Sequence, residues 1–332
     1  MISILSAVLV LVVGSAVVFT QWQVRRIEQQ FPPRGQFVSV SGGRLHYTER
    51  LPLDGGRAQT VLLLHGASGN QADVMLPLGD KLAARGFHVI AVDRPGHGWS
   101  DRPKGAEDAS PAAQAGLIRE GLASLNIRNA IVVGHSLAGA VAANFAIEQK
   151  DFTRGLVLLA PVTHPWPGGV TWYYTLAARP VIGWLFGNVV TMPVGLASLS
   201  AAVQSVFAPQ TPPPDYAERT GSELVLRPSE FISNAQDVAG LAAFIDIQSK
   251  RMSEIAAPTT IVTGDRDSIV YAHIHSAGSA RDIAGAHLVT LPGVGHAVHN
   301  VAPDRVVDAV TDVAMRADQA QLQRPSRFTE TR

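Results

Sequence analysis

Short apolar runs alternate with stretches of helical spacing through the first half of the chain. Continuous apolar runs that end in turn residues are typical of strands buried on both faces of a parallel sheet. Such runs lie at 60–66, 87–93, 130–135 and 155–161. The alternation predicts a doubly wound, mostly parallel α/β sheet.

The pattern continues on both sides of a long interruption. A β-hairpin is predicted at the start of the sheet, where two alternating runs flank Ser41-Gly42-Gly43. Strand and helix signals resume after residue 256. We therefore expect residues 36–161 and 257–316 to form one core, residues 162–256 to be a helical cap inserted into it, and residues 317–332 to be a polar tail.

The N-terminus predicts a membrane anchor. No side chain up to Trp22 is charged, and Arg25 and Arg26 follow; about 20 apolar residues suffice to cross a bilayer, and aromatic and basic residues mark its interface. Residues 1–24 are predicted to be a retained single-pass anchor in contact with lipid, and residues 25–35 a linker. A signal peptide is the alternative, although it normally has a basic start and a shorter apolar core. The arginines favour a cytoplasmic catalytic domain, with a periplasmic or extracellular one as the alternative.

Composition narrows the function classes. The formal net charge is zero and no long basic run occurs, so the chain lacks the electrostatic footprint of a nucleic-acid-binding protein. There is no cysteine, which excludes thiol chemistry and cysteine-ligated metals. Because no metal-ligand spacing or phosphate-binding loop stands out either, we expect no cofactor and no metal.

Ser136 is the candidate nucleophile. It follows the apolar run "AIVVGH" and precedes a helix, and Gly134, Ala138 and Gly139 are the small residues that a sharp strand–serine–helix turn requires. The nucleophile motif G-x-S-x-G has glycine where this chain has Ala138. A helix N-cap is therefore the alternative role for Ser136.

Candidate partners for Ser136 follow two later strands. Asp265 and Asp267 come after "IVTG", and His296 and His299 come after "VTLPGVG". The order serine, aspartate, histidine is that of enzymes with a nucleophile elbow, and all these loops are expected at the same sheet edge. Because only a nucleophile needs such partners, the combination favours catalysis over a helix cap.

Two backbone amides are candidates for an oxyanion hole. The residue after the nucleophile, Leu137, supplies one amide, and the loop "HGASG" after the strand at 60–64 supplies the other through Ala67. The hydroxyl of Ser68 either contacts substrate or stabilises this loop.

The segments "LLLHGASG", "DRPGHGWSD", "GHSLAG", "GDRD" and "GVGH", in this order, resemble the α/β-hydrolase fold superfamily, specifically its capped esterase/lipase-like branch. The resemblance extends from about residue 36 to 315. It implies that Asp267 is the triad acid and His296 the base. Asp265 would then organise its own turn, and His299 would line the substrate pocket or be structural.

A serine nucleophile implies acyl transfer, whereas superfamily members that form alkyl-enzyme esters use aspartate. We therefore expect a serine hydrolase that cleaves a small-molecule carboxylic ester through an acyl-enzyme. The aromatic cap, including Trp172 and Tyr173, predicts an apolar acyl or alcohol group, although these residues would equally suit the cap's own core or lipid contact. The alternatives are a C–C bond hydrolase, a lactonase or a cofactor-free perhydrolase on the same triad, and a non-catalytic binding protein of this fold.

Overall fold

The computed structural model describes residues 2–52 and 59–322, and an eight-stranded sheet lies at its centre. The strands are β1 (Gln36–Val40), β2 (Gly43–Arg50), β3 (Thr60–Leu64), β4 (His88–Val92), β5 (Ala130–His135), β6 (Thr153–Leu159), β7 (Thr259–Gly264) and β8 (His287–Leu291). Their order across the sheet is β1-β2-β4-β3-β5-β6-β7-β8. Each strand coincides with an apolar or alternating run of the sequence.

The sheet is antiparallel at one side and parallel elsewhere. β1 and β2 form the predicted hairpin, with Val38 opposite Leu45, and β2 pairs antiparallel with β4. All pairs from β4 through β8 are parallel. The carboxyl ends of six strands therefore meet at one edge, and the predicted fold class is confirmed.

Helices cover both faces of the sheet. The α-helices of the described residues are α1 (Ile2–Gln30), α2 (Gln71–Ala83), α3 (Pro111–Ser124), α4 (Ala138–Glu148), α5 (Trp172–Ala177), α6 (Pro180–Leu185), α7 (Met192–Phe207), α8 (Tyr216–Thr220), α9 (Pro228–Gln248), α10 (His275–Asp282), α11 (Val298–Val301) and α12 (Pro303–Leu322). Ile118 of α3 and Phe145 of α4 are buried on one face. Leu78 of α2 and Val310 of α12 are buried on the other. The core thus forms two apolar layers, as expected for a sheet buried on both sides.

Residues 162–256 contain α5 to α9, so this part is helical as predicted. A π-helical segment, Phe186–Thr191, joins α6 to α7. The longest cap helix, α9, lies over the active edge of the sheet, because its Asn234 and Asp237 bond to the loops after β3 and β4. The cap is therefore fixed directly above the site.

The first helix is longer than the sequence predicted. It continues to Gln30, so residues 25–30 of the expected linker are helical. The reason is packing: Ile27 is 1 % exposed in a cluster with Met192 and Leu224 of the cap. Tertiary contacts of this kind stabilise a polar stretch as helix when its own propensity does not.

The last helix also extends beyond its predicted end. α12 continues to Leu322, so the first residues of the expected polar tail are helical. Ala317 is buried, and Asp318 accepts a hydrogen bond from Gln59 and pairs with Arg154. One face of this polar stretch is therefore held by the core. The rest of the predicted tail, 323–332, lies outside the described residues.

Candidate active site

Ser136 occupies a strained turn between β5 and α4. Its φ is +54°, which is in the left-handed region that non-glycine residues rarely adopt. A Cβ at Gly134 would lie 2.3 Å from the carbonyl oxygen of Ala138, and one at Gly139 would lie 2.4 Å from Pro161 Cβ. The glycine that has no room for a side chain after Ser136 is thus Gly139, one position later than the motif requires. Ala138 occupies the motif position itself, and its side chain is fully buried in the core.

Asp267 and His296 form a buried pair at the same sheet edge. His296 Nδ1 lies 2.7 Å from Asp267 Oδ2, and Asp267 Oδ1 accepts hydrogen bonds from the amides of Ile269 and Val270 at 2.8 and 2.9 Å. These bonds fix the carboxylate, and an ionised carboxylate accepts only from a protonated Nδ1. His296 Nε2 is consequently left as the acceptor, and both His296 and Ser136 line one cavity.

Asp265, the other carboxylate of "GDRD", has a different role. Its Oδ1 accepts a hydrogen bond of 2.7 Å from the amide of Gly293 in the turn that follows β8. The side chain therefore ties two loops together at the surface, whereas the sequence analysis expected it to organise its own turn.

The amides of Ala67 and Leu137 have no acceptor among the described residues. Arg94 holds the first of these loops from behind, because its Nε donates to the carbonyl of His65 at 2.9 Å and its Nη2 to that of Gly66 at 3.1 Å. Two free amides beside a serine at a helix start are what an oxyanion hole needs.

Ser68 is held by the cap. Its amide donates to Asn234 Oδ1 at 2.7 Å, and its hydroxyl accepts from Asn234 Nδ2 at 3.0 Å. Ser68 also lines the cavity, but the paired bonds favour the loop-stabilising role over substrate binding. The sequence analysis missed Asn234, because nothing in the local sequence marks an amide on a cap helix as the partner of a distant loop.

The cavity above Ser136 has a volume of about 700 Å³. Trp172 and Tyr173 are among its lining residues, and much of its wall comes from α7, which the sequence analysis did not single out. The lining residues of α7 and its preceding segment are mainly apolar or small: Phe186, Val190, Thr191, Val194, Gly195, Ser198, Leu199, Ala202, Val203, Ser205 and Val206. Such a chamber suits an apolar group of the substrate.

His299 does not line this cavity, so of its two predicted roles the structural one fits and the pocket-lining one does not. It is 1 % exposed, and its Nε2 bonds to Asp73 Oδ1 at 3.1 Å. The same oxygen accepts from the hydroxyl of Tyr216 in the cap at 2.6 Å and from Asn300. His299 is therefore a buried hydrogen-bond partner of Asp73 and not a lining residue of the cavity.

His299, Asp73 and His135 are also the group of described side chains whose potential metal-ligand atoms lie within 4.8 Å of one another. Asp73 Oδ1 is already shared by three donors, and His135 Nε2 lies 3.2 Å from the carbonyl oxygen of His296. Burial, with His299 and His296 nearby, holds the pKa of His135 well below its ordinary value. The arrangement is therefore a hydrogen-bonded cluster around a neutral imidazole, in which His135 Nδ1 and His299 Nδ1 have no hydrogen-bond partner among the described residues.

A buried charge network lies under the cap. Arg94, which is fully buried, donates to Asp237 Oδ2 at 2.7 Å, and Arg102 donates to Asp237 Oδ1 at 2.5 Å. Sequence reasoning missed this network, because charged residues in a loop are normally solvated. The network joins α9 to the loop after β4 and fixes the arginine that holds the Ala67 loop.

Comparisons with known proteins agree with this architecture. The family model described as "Alpha/beta hydrolase family" matches residues 61–309. The 2-(acetamidomethylene)succinate hydrolase of Mesorhizobium japonicum is 29% identical over 261 residues, 77% of this chain and 88% of that protein. The 2-hydroxy-6-oxo-6-phenylhexa-2,4-dienoate hydrolase of Burkholderia cepacia is 29% identical over 269 residues, 77% of this chain and 86% of that protein.

A solved structure of a bacterial membrane phospholipase A has the same fold. It superposes with a TM-score of 0.66 at 22% identity and covers 95% of this chain and 98% of that one. At this identity the likeness concerns the fold alone.

Proposed function

The chain belongs to the alpha/beta hydrolase family, and from this premise we propose that it is a serine hydrolase of neutral carboxylic esters. In this proposal Ser136 is the nucleophile, His296 the general base and Asp267 the residue that orients His296. The carrying observation is the 2.7 Å bond between His296 and Asp267 beside a strained serine in one apolar cavity.

The proposed reaction has two balanced halves. Ser136 Oγ attacks the ester carbonyl while His296 Nε2 accepts the hydroxyl proton, and the amides of Ala67 and Leu137 donate to the developing oxyanion. The intermediate collapses, and the alcohol leaves with the proton from His296. Water then attacks the acyl-enzyme with His296 as base, which releases the carboxylic acid and restores Ser136.

The cavity lining supports a neutral ester over an acidic substrate. Among the described residues that line it, none is lysine or arginine. The two relatives named above act, by their names, on a succinate and a dienoate, and both substrates carry carboxylates. Burying a carboxylate without a cation is costly, so this chamber favours an uncharged acyl or alcohol group.

Hydrolysis of p-nitrophenyl esters of increasing acyl length tests the proposal on the full chain in detergent micelles. We expect turnover to rise from acetate to medium or long acyl chains, and Ser136→Ala to lose about 10⁴-fold or more. The matched control is Ser124→Ala, which removes an exposed hydroxyl at the end of α3 and is expected to retain full activity.

A ring-cleavage diketone and a neutral lactone serve as competing substrates in the same assay. Faster cleavage of either than of every ester, lost in Ser136→Ala, would replace ester hydrolysis by a C–C or lactone reaction on the same triad. Equal ester turnover by wild type and Ser136→Ala would contradict the assignment of the nucleophile.

A further inference from the structure

One long part of the cap is almost free of charge. Between residues 165 and 214 the only charged side chain is that of Arg179, whereas the chain average of 16 % would give about eight in 50 residues. The stretch includes α5, α6, the π-helical segment and α7. A charge-free run is ordinary in a buried core, so its exposure decides what it means.

Much of this stretch is on the surface. Trp172 is 67% exposed, Val181 83%, Trp184 53%, Leu185 46% and Val194 57%. We call these five residues the apolar cap surface. Large apolar side chains exposed on α5, α6 and α7 mark an interaction site and not an ordinary solvated face.

The N-terminal helix α1 lies next to this part of the cap. Gln21 of α1 donates to Asn188 of the π-helical segment at 3.4 Å, and Glu28 pairs with Arg227 at 3.3 Å. The apolar side chains of α1 from Ile4 to Val18 are largely exposed, whereas Thr20 is fully buried. Protein contact therefore begins where the lipid-length part of α1 ends, which sets the cap beside the bilayer surface.

The rim of the catalytic cavity coincides with the apolar cap surface. Trp172 and Val194 belong to that surface and also line the cavity that contains Ser136. Ser198 and Ala202, which are exposed on α7, continue the rim. A substrate that leaves a bilayer at this level would meet apolar or small side chains up to the nucleophile.

We propose that the apolar cap surface sits in the interfacial layer of the bilayer that holds α1, and that the enzyme takes its ester from that bilayer. The substrate class is a membrane-resident amphiphile whose long acyl chain enters the cavity through the rim. This substrate assignment rests on the ester hydrolysis proposed above. Tryptophan at the headgroup level and a partly immersed apolar helix face are features of interfacial binding.

The stretch lies on the bilayer and does not cross it. Residues 180–207 are long and apolar enough to span, but one side of this run lines the cavity and another contacts α1 and α9. A run that crossed the bilayer would carry the cavity that it lines, and with it Ser136, into the lipid, so the proposal places the run at the bilayer surface. The exposed side of the run is the side that would contact lipid.

A fluorescent label tests the location without using catalysis. Because the chain has no cysteine, Val181→Cys carries a single nitrobenzoxadiazole label in the full chain reconstituted into phosphatidylcholine vesicles. We expect aqueous dithionite to bleach this label at least fivefold more slowly than the same label at Ile247→Cys, an exposed position on α9 of the same cap. Equal bleaching rates would overturn the location.

A charge-introducing pair tests the route of the substrate. Val181→Glu/Trp184→Glu changes two side chains that do not line the cavity, and Ile247→Glu/Met315→Glu is the matched control on exposed apolar positions elsewhere. We expect the first variant to lose at least tenfold in hydrolysis of methylumbelliferyl palmitate embedded in the vesicles, with p-nitrophenyl butyrate hydrolysis unchanged. Equal losses on both esters, or none on either, would overturn the route.

The two experiments separate this inference from the proposed function. If the proposed function fails, neither ester is hydrolysed by wild type, but the label at position 181 still reports where the surface lies. If only the inference fails, butyrate hydrolysis is intact and the label is bleached at the control rate.

Discussion

At the scale of single residues, the nucleophile turn depends on Gly134 and Gly139, two positions where a side chain larger than hydrogen does not fit. Gly139 faces Pro161 so closely that a methyl group would overlap it, whereas Gly116 on α3 has no atom within 4 Å of its added Cβ. Replacing glycine by alanine is therefore expected to have opposite effects on stability at Gly139 in α4 and at Gly116 in α3.

We expect Gly139→Ala to lower the free energy of unfolding by about 1–3 kcal/mol through overpacking. Ester turnover should fall as well, because the turn that contains Ser136 packs against Pro161 at Gly139, and a shift of this turn would move Ser136. Gly116→Ala should instead raise stability by about 1 kcal/mol through helix propensity. Urea unfolding of the full chain in micelles measures both. Destabilisation by the two variants alike would contradict the packing argument.

The two histidines of "GHAVH", His296 and His299, are expected to differ in their effect on activity. His296→Ala should cost about 10⁴-fold or more in kcat, because it removes the proposed base. His299→Ala, which removes a buried partner of Asp73 outside the cavity, should keep activity within about tenfold once folded. Steady-state kinetics on p-nitrophenyl butyrate decide, and the reverse ranking would reassign the base.

At the scale of elements, the cap helix α9 is joined to the core by buried charged side chains. Asp237→Asn leaves the fully buried Arg94 without its carboxylate. Removing one partner of a buried ion pair costs about 3–5 kcal/mol. Arg94 also holds the carbonyls before Ala67, so activity should fall as well.

The control for Asp237→Asn is Glu254→Gln, which breaks an ion pair with Arg251 at the surface. Exposed pairs contribute little, so its unfolding curve should overlay that of wild type. Urea titrations followed by far-UV circular dichroism compare the two variants. If Asp237→Asn unfolded at the wild-type urea concentration, the network would have no structural role.

The elements that sequence reasoning predicted well are those whose signal is local. Continuous apolar runs located β3 to β7, and strand ends that share one edge grouped Ser136 with the "GDRD" aspartates and the two histidines that follow. The choice of Asp267 and His296 within that group came from the resemblance to the superfamily. What it missed depends on contacts between distant segments: the helical state of residues 25–30, the link from Asn234 to Ser68, and the cavity wall on α7. None of these has a periodic or motif signature, because each exists only after the cap has packed on the core.

At the scale of the whole molecule, buried neutral histidines make stability depend on pH. Burial is the largest cause that lowers the pKa of His65, His97 and His135 well below the ordinary value, and it lowers the pKa of His275 to about 4. The unfolded chain binds protons at these residues near pH 6.5, and the folded chain does not. These histidines therefore do not oppose folding above pH 6.5, and they lower the free energy of unfolding as the pH falls below that value.

One buried acid works in the opposite direction. Burial, partly offset by Arg227, raises the pKa of Glu230 to about 7, so the folded state binds one proton there that the unfolded state does not. Four histidines act in one direction and this carboxyl in the other, so the unfolded state binds more protons than the folded state below pH 6.5 and stability falls as the pH drops. We expect urea midpoints to fall steeply from pH 7.5 to pH 5. A midpoint that is constant or rises would contradict the neutral histidines.

The family and the fold describe a hydrolase domain, and we propose that the N-terminal apolar helix holds this domain beside a bilayer. The central claim is that Ser136 is its activated nucleophile, since the triad, the oxyanion hole and the substrate route all depend on it. A fluorophosphonate reacts covalently with activated serines, which makes the adduct a direct record of that claim.

The decisive measurement is therefore peptide mass spectrometry of the full chain after fluorophosphonate treatment. The account predicts one adduct, on Ser136, that is absent from Ser136→Ala and strongly slowed in His296→Ala, while Ser124→Ala is labelled like wild type. An unlabelled wild-type chain, or an adduct on another serine that persists in Ser136→Ala, would contradict it.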